Sequence, residues 1–253
     1  MLKRIIKKIF SITGYKIIKN VNSYSFDMIY KKEIKQTPII FDVGANRGQS
    51  IERFRKIFPE CIIHSFEPLE KEFKILEEKY STDKKIYLNN FALGENEDSK
   101  IFYITAKSEN SSFNKVNLNT EWLKIRSKEY NTQQDKFILN KKNLKIIKLD
   151  DYCTKYNVQS IDILKIDTSG FEHKVLIGAK NMIKKNKIHS IETEFMFDDV
   201  YEIKTSFYEF EKEIVNDNFR IYAIEHIKGF KSIYDYMFGV YALYFNQNFK
   251  DQT

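Results

Sequence analysis

The segment from Pro38 to Ser50 limits what this chain can fold into more than any other. It reads Pro-Ile-Ile-Phe-Asp-Val-Gly-Ala-Asn-Arg-Gly-Gln-Ser. A short apolar run, Ile39 to Val43, carries an acid, Asp42, near its end. Two spaced glycines follow, Gly44 and Gly48, and a helical pattern begins at Gln49. Strand, glycine loop and helix in that order build the ligand-binding corner of a doubly wound α/β sheet. Glycine lets the backbone approach a ligand as a side chain would not, and the helix starts with free N–H groups. The spacing is not the G-x-G-x-x-G of a dehydrogenase, and the G-x-x-x-x-G-K-[ST] of a phosphate loop is absent. With no pyrophosphate to cradle, the tighter loop suits adenosine joined to an amino-acid tail.

The pattern repeats downstream. Ile51, Phe54, Ile57 and Phe58 give Gln49–Phe58 a helical spacing that stops at Pro59. A strand is expected over Cys61–Phe66, running into Glu67-Pro68, then a helix over Glu70–Tyr80 and a strand from Ile86 to Leu88. Three β–α units in succession imply a parallel sheet. Lys100–Thr105 is strand-like, and residues 106–143 are polar and weakly patterned, which marks a lid or substrate-binding insertion. Further strands are expected at Ile146–Leu149, at Ile161–Ile166 ending at Asp167, and at Ile188–Thr193 ending near Glu194. Helices are expected at Glu172–Lys185 and Phe207–Asn216. Phe219–Ile224 and Val240–Phe245 are joined by a loop without helical spacing, so they read as a terminal antiparallel hairpin. The expected fold is therefore Rossmann-like, a seven-stranded α/β sheet, mostly parallel. An N-terminal helical extension occupies 1–37 and the main domain 38–253.

Composition narrows the partners. The net charge of +7 is spread along a chain rich in Lys, Asn and Ile throughout, without a focused basic stripe, so nucleic acid is not the expected partner. Cys61 and Cys153 lie far apart and form no C-x-x-C pair, the pattern of reduced thiols in a cytoplasmic protein. His64, His173, His189 and His226 show no ligand spacing, and no metal site is assigned. No apolar run reaches membrane-spanning length. Residues 1–20 read as a short basic amphipathic helix that packs on the domain or on a sister subunit, with at most peripheral membrane contact.

Ligands of open parallel sheets bind beyond the carboxyl ends of the strands. Four acids fall there: Asp42, Glu67, Asp167 and Glu194. Glu67 comes at roughly the 20-residue offset expected of an acid that grips ribose hydroxyls, and a carboxylate can accept from both hydroxyls at once. The loop Asp42-Val43-Gly44-Ala45-Asn46-Arg47-Gly48 resembles motif I of the S-adenosylmethionine-dependent methyltransferases. Four further stretches carry a closer resemblance: Phe66-Glu67-Pro68, Asn90-Phe91-Ala92-Leu93-Gly94, Leu149-Asp150-Asp151-Tyr152 and Lys165-Ile166-Asp167-Thr168-Ser169-Gly170-Phe171-Glu172. With Val175-Leu176, Gly178-Ala179 and Glu192-Thr193-Glu194-Phe195, they resemble the FkbM family of methyltransferases, in family order from about Pro38 to Ala223. Tyr241 departs from that pattern, standing where relatives are expected to show an acid.

The resemblance implies a class I methyltransferase that methylates a hydroxyl of a small molecule, a sugar or nucleotide-linked sugar in surface polysaccharide pathways. It implies a cofactor, S-adenosylmethionine, held by Asp42, Gly44, Ala45, Asn46, Gly48, Gln49, Ser50, Glu67, Pro68, Asn90, Phe91, Ala92 and Asp167. The ribose is expected on Glu67, the tail over Gly44 and the adenine beside Phe91 and Ala92. Asp167, His173 and Glu194 are the candidates for the general base by position; Asp167 has the alternative role of holding the methionine amine. A nucleic-acid methyltransferase is the first alternative, but Asp167-Thr168-Ser169-Gly170-Phe171 lacks the N/D-P-P-Y/F pattern of the amino-group enzymes. A non-catalytic nucleotide-binding domain is the second, and would be expected to lose the strand-end acids. The reading leaves room for a homo-oligomer.

Overall fold

A computed structural model describes residues 25–203, 206–226 and 238–249. The expected helix over residues 1–20 lies outside these. Helix α1 (Phe26–Glu33) leads into β1 (Ile39–Val43), α2 (Gln49–Ile57), β2 (Ile62–Phe66), α3 (Glu70–Tyr80) and β3 (Ile86–Asn89). A short β4 (Ala92–Leu93), β5 (Asp98–Thr105), α4 (Glu121–Glu129) and β6 (Ile138–Ile147) follow. Then come α5 (Leu149–Lys155), β7 (Ile161–Ile166), α6 (Glu172–Gly178), α7 (Lys180–Lys184) and β8 (Ile188–Met196). The last elements are α8 (Phe207–Glu211), β9 (Phe219–His226) and β10 (Gly239–Asn246).

Seven strands form one sheet in the order β3-β2-β1-β7-β8-β10-β9. The first five run parallel, while β10 runs antiparallel to both β8 and β9. The order reverses between β1 and β7, which is where an open sheet leaves a crevice for ligand. β1 and β7 are buried on both faces, and their apolar runs supply the centre of the core. One face of the sheet packs Phe41, Phe66, Leu164 and Ile191 against α5, α6 and α8. The other packs Ile40, Ile63 and Ile163 against α1, α2 and α3 through Tyr30, Phe54 and Leu76.

Four expected elements differ. Ile146–Leu149 is not a strand of the main sheet. Ile146 and Ile147 end β6, which belongs to a separate sheet ordered β4-β6-β5, and Leu149 opens α5. β6 exposes most of its Lys and Asn side chains, so its apolar pattern is faint. The helix expected over Glu172–Lys185 breaks at Ala179. There Gly178 presses on Gly94, where an added Cβ would stand 2.0 Å from Gly94 O. The Asp150 carboxylate then accepts from Asn181 N and Met182 N to start α7. β8 continues past Glu194 to Met196 because Glu194 pairs with Tyr241 of β10. The helix expected to reach Asn216 ends at Glu211, after a capping box made by Ser206 and Glu209.

The insertion is folded. Phe137, Val116, Trp122 and Leu123 form a small core with Val200 and Tyr201. Its last part, from Ile138, pairs with β5.

Candidate active site

A cleft of about 250 Å³ opens beyond the carboxyl ends of β1, β2 and β7. Of the expected ligand-holding residues, Gly44, Ala45, Asn46, Gln49, Ser50, Glu67, Pro68, Ala92 and Asp167 line it. Asp42, Gly48, Asn90 and Phe91 do not.

Gly44 adopts φ +86°, and a Cβ there would stand 1.9 Å from Asp167 O. Only glycine lets the loop after β1 touch the loop after β7. The amides of Gly44 and Ala45 both donate to Phe66 O, at 3.0 and 3.1 Å, so they fix the loop to β2. Gly48 acts at a distance: a Cβ there would meet the Tyr80 ring at 2.7 Å, so it makes room for α3.

Glu67 is buried on the cleft wall. Its Oε2 accepts from Asn46 N at 2.9 Å and its Oε1 from Leu69 N at 2.8 Å. Each oxygen keeps a second acceptor site, the arrangement a ribose diol needs. Burial raises the pKa of this carboxyl to about 7 against the pull of the Leu69 and Asn46 amides. Asn90 supports the same corner from behind, donating Nδ2 to Glu67 O at 2.9 Å. The Phe91 ring faces Phe66 and Tyr152, at centroid distances of 5.9 and 6.2 Å, and lines a different, smaller cleft.

A row of charge crosses the sheet beneath the cleft. Asp42, Lys165 and Glu192 are register partners on β1, β7 and β8. Neither oxygen of the fully buried Asp42 has a hydrogen-bond partner, and the Lys165 ammonium stands 3.5 Å from Oδ1. Burial raises the Asp42 pKa, with Lys165 opposing. Lys165 Nζ also reaches Asp167 Oδ2 at 3.2 Å. Burial works against this ammonium, but Asp167, Asp42 and Glu192 outweigh it and hold its pKa above the ordinary lysine range. Lys165 is therefore a fixed cation on the cleft wall. Glu192 accepts from Tyr30 OH at 2.7 Å and from Arg53 Nη1 at 2.5 Å, which ties α1 and α2 to this row.

The three base candidates separate. Asp167 lines the cleft. Glu194, two residues beyond Glu192 on the same face of β8, is part-buried and lies outside the cleft-lining set; burial together with the charges of Asp167 and Glu172 holds its pKa well above the carboxylate range. His173 lies outside the cleft-lining set; burial and Lys174 lower its pKa, and the nearby carboxylates of Glu209 and Glu95 oppose them. Glu172 has a structural part of its own, since its Oε1 accepts from Thr168 N, Thr168 Oγ1 and Gly170 N and so shapes the loop after β7.

Lys165, Thr168, Ser169 and Phe171 also line the cleft. Their signal was the motif that surrounds Asp167. Phe102, Ser108, Glu109, Ser111 and Phe113 line it too, from β5 and the start of the insertion, where no motif marked them. Among the described residues no group of three or more His, Cys, Asp or Glu could hold a metal ion. No helix among them is long and apolar enough to cross a membrane.

This strand order, with the final hairpin inserted antiparallel and the cleft at the order reversal, defines a class I methyltransferase fold. The chain matches the Methyltransferase FkbM domain over residues 42–221 and belongs to that family. It is similar to the 2-O-methyltransferase NoeI of Sinorhizobium fredii (strain NBRC 101917 / NGR234), 24% identical over 173 residues that cover 66% of this chain and 67% of NoeI. Its fold resembles the crystal structure of methyltransferase FkbM from Methylobacillus flagellatus KT, with a TM-score of 0.51 at 14% identity. That match covers 82% of this chain but only 44% of the crystallised one, so this chain spans less than half of that relative's length.

Proposed function

We propose that this methyltransferase uses S-adenosylmethionine to methylate a hydroxyl of a small molecule, a sugar or nucleotide-linked sugar. The observation that carries the cofactor reading is Glu67, a buried carboxylate on the cleft wall with one unused acceptor site on each oxygen. Glu67 would hold the ribose, and the amino-acid tail would lie over Gly44 toward Asp167. When bound, the cofactor supplies a methyl group on a sulfonium that needs no further activation. The protein's part is to align the acceptor oxygen with that methyl and to exclude water. An alcohol is a poor nucleophile, so a base takes the hydroxyl proton; Asp167, which lines the cleft, is the better placed of the candidates, while Glu194 stands outside the lining residues with its pKa raised by burial. Lys165 fixes Asp167 Oδ2 for either of its two roles.

Support for a hydroxyl acceptor comes from the similarity to a 2-O-methyltransferase. The loop after β7, Asp167 to Phe171, also lacks the proline pair of DNA amino-methyltransferases. The net charge of +7 favours an anionic acceptor such as a nucleotide-linked sugar. The two cysteines are buried and free, in keeping with a cytoplasmic site of action. Incubation with methyl-labelled S-adenosylmethionine and a panel of sugars and nucleotide sugars tests the reading. Label should appear in a methyl ether. Label transferred only to nucleic acid, or to nitrogen, would overturn it.

A further inference from the structure

Three phenylalanines that line the cleft meet one another. Phe102 comes from β5, Phe113 from the insertion and Phe171 from the loop after β7. The Phe102 and Phe113 rings meet edge-on with centroids 4.9 Å apart, and Phe113 and Phe171 are tilted at the same separation. Phe171 packs with Ala92 and Ile146 of the small sheet, and Phe113 lies against that cluster. The expected adenine partner, Phe91, turns its ring to Phe66 and Tyr152 instead.

We infer that Phe102, Phe113 and Phe171 form the wall on which the cofactor's adenine lies, so the insertion helps to build the cofactor site. The inference rests on the cofactor reading above. The position argues for it: Phe171 and Phe113 pack with Ala92, which follows β3, the strand beside β2 and Glu67, while Gln49 and Ser50 open α2 and Lys165 and Asp167 stand at the end of β7, where the tail is proposed to lie. A base must lie beyond its ribose, on the side away from the tail. The chemistry agrees, because an apolar wall of ring faces and edges suits a flat heterocycle. The limb that carries Phe113 is held there by hydrogen bonds. Ser169 Oγ donates to Glu109 O at 3.0 Å, Ser112 Oγ to Ser169 O at 2.8 Å and Asn114 Nδ2 to Gly170 O at 2.5 Å. Gly94 leaves space for the Phe171 ring, which a Cβ there would meet at 3.0 Å.

Calorimetry with two ligands tests this. S-adenosylhomocysteine carries adenine, ribose and tail; 5′-methylthioadenosine carries only the first two. Phe113→Ala, and Phe113→Leu as the variant that keeps bulk without the ring, should weaken both ligands about 10-fold or more, the size of a lost base–aromatic stack. Thermal unfolding of the Leu variant should match wild type. If wild type binds neither ligand, the cofactor reading itself fails. If wild type binds both and the folded Leu variant binds them equally well, with only the acceptor KM raised, the trio belongs to the acceptor and the inference is overturned.

Discussion

Glu67 has each carboxylate oxygen committed once, to Asn46 and to Leu69, in a site where burial holds its pKa at about 7. Ribose hydroxyls donate best to the ionised form. S-adenosylhomocysteine affinity should therefore rise about tenfold between pH 6 and pH 8, and Glu67→Gln should flatten that profile. In the free protein the sign is opposite. A carboxyl whose folded pKa lies above its unfolded value binds more protons when folded, so its contribution to stability falls as pH rises from about 4.5 to about 7. Gly44→Ala should cost about 1–3 kcal/mol from backbone strain alone, more as its Cβ displaces Asp167, and urea unfolding would measure it. Asp167→Asn and Glu194→Gln should each be tested by turnover. Loss of the base should lower kcat by roughly 100- to 10,000-fold while cofactor affinity changes little. Near-normal turnover in both would leave alignment as the whole of catalysis. Asp42, Glu67, Asp167 and Glu194 were legible because acids at the ends of apolar strands break a pattern. The separate fates of Asp42, buried on Lys165, and Glu67, facing the cleft, were not, since strand position does not say whether a neighbouring strand supplies a cation.

At the scale of elements, α1 and α2 are tied to β8 through one buried carboxylate. Glu192 is almost inaccessible and accepts from both Tyr30 and Arg53, while Arg53 also pairs with Asp27 at 2.7 Å. Arg53→Met would remove the guanidinium that donates to Glu192, leaving only the more distant Lys165 to balance its charge, and should lower unfolding free energy by about 3 kcal/mol, measured by urea denaturation. Tyr30→Phe should cost less, about 1–3 kcal/mol. The insertion adds a second element-scale expectation. If it closes over the acceptor, amide exchange within 106–143 should slow when acceptor is added to the cofactor complex, and unchanged exchange would remove the lid role. The parallel strands and the final hairpin could be read from the sequence because both rest on dense apolar runs. α4 and β6 could not. Trp122 and Leu123 are adjacent and Phe137 lies far from them, so together they show no helical period, and β6 presents lysines to solvent on a strand that buries little. The break between α6 and α7 depends on the contact of Gly178 with Gly94, which no local pattern reports.

In the molecule as a whole, the order reversal of the main α/β sheet faces a folded insertion, with the cleft between them. The family was legible from spaced motifs, because each one marks a strand end that the fold brings to the same edge. The extent of the cleft was not, because Phe102 reaches it from the small sheet and Phe113 from the insertion. This cleft is proposed to hold S-adenosylmethionine with the ribose on Glu67. Calorimetric titration of the wild-type chain and of Glu67→Ala with S-adenosylhomocysteine, and separately with NAD, tests it most directly. Wild type should bind S-adenosylhomocysteine and not NAD, and Glu67→Ala should keep its thermal unfolding profile while losing most of that affinity. Tight NAD binding with no binding of S-adenosylhomocysteine, or equal S-adenosylhomocysteine affinity in the folded variant, would contradict it.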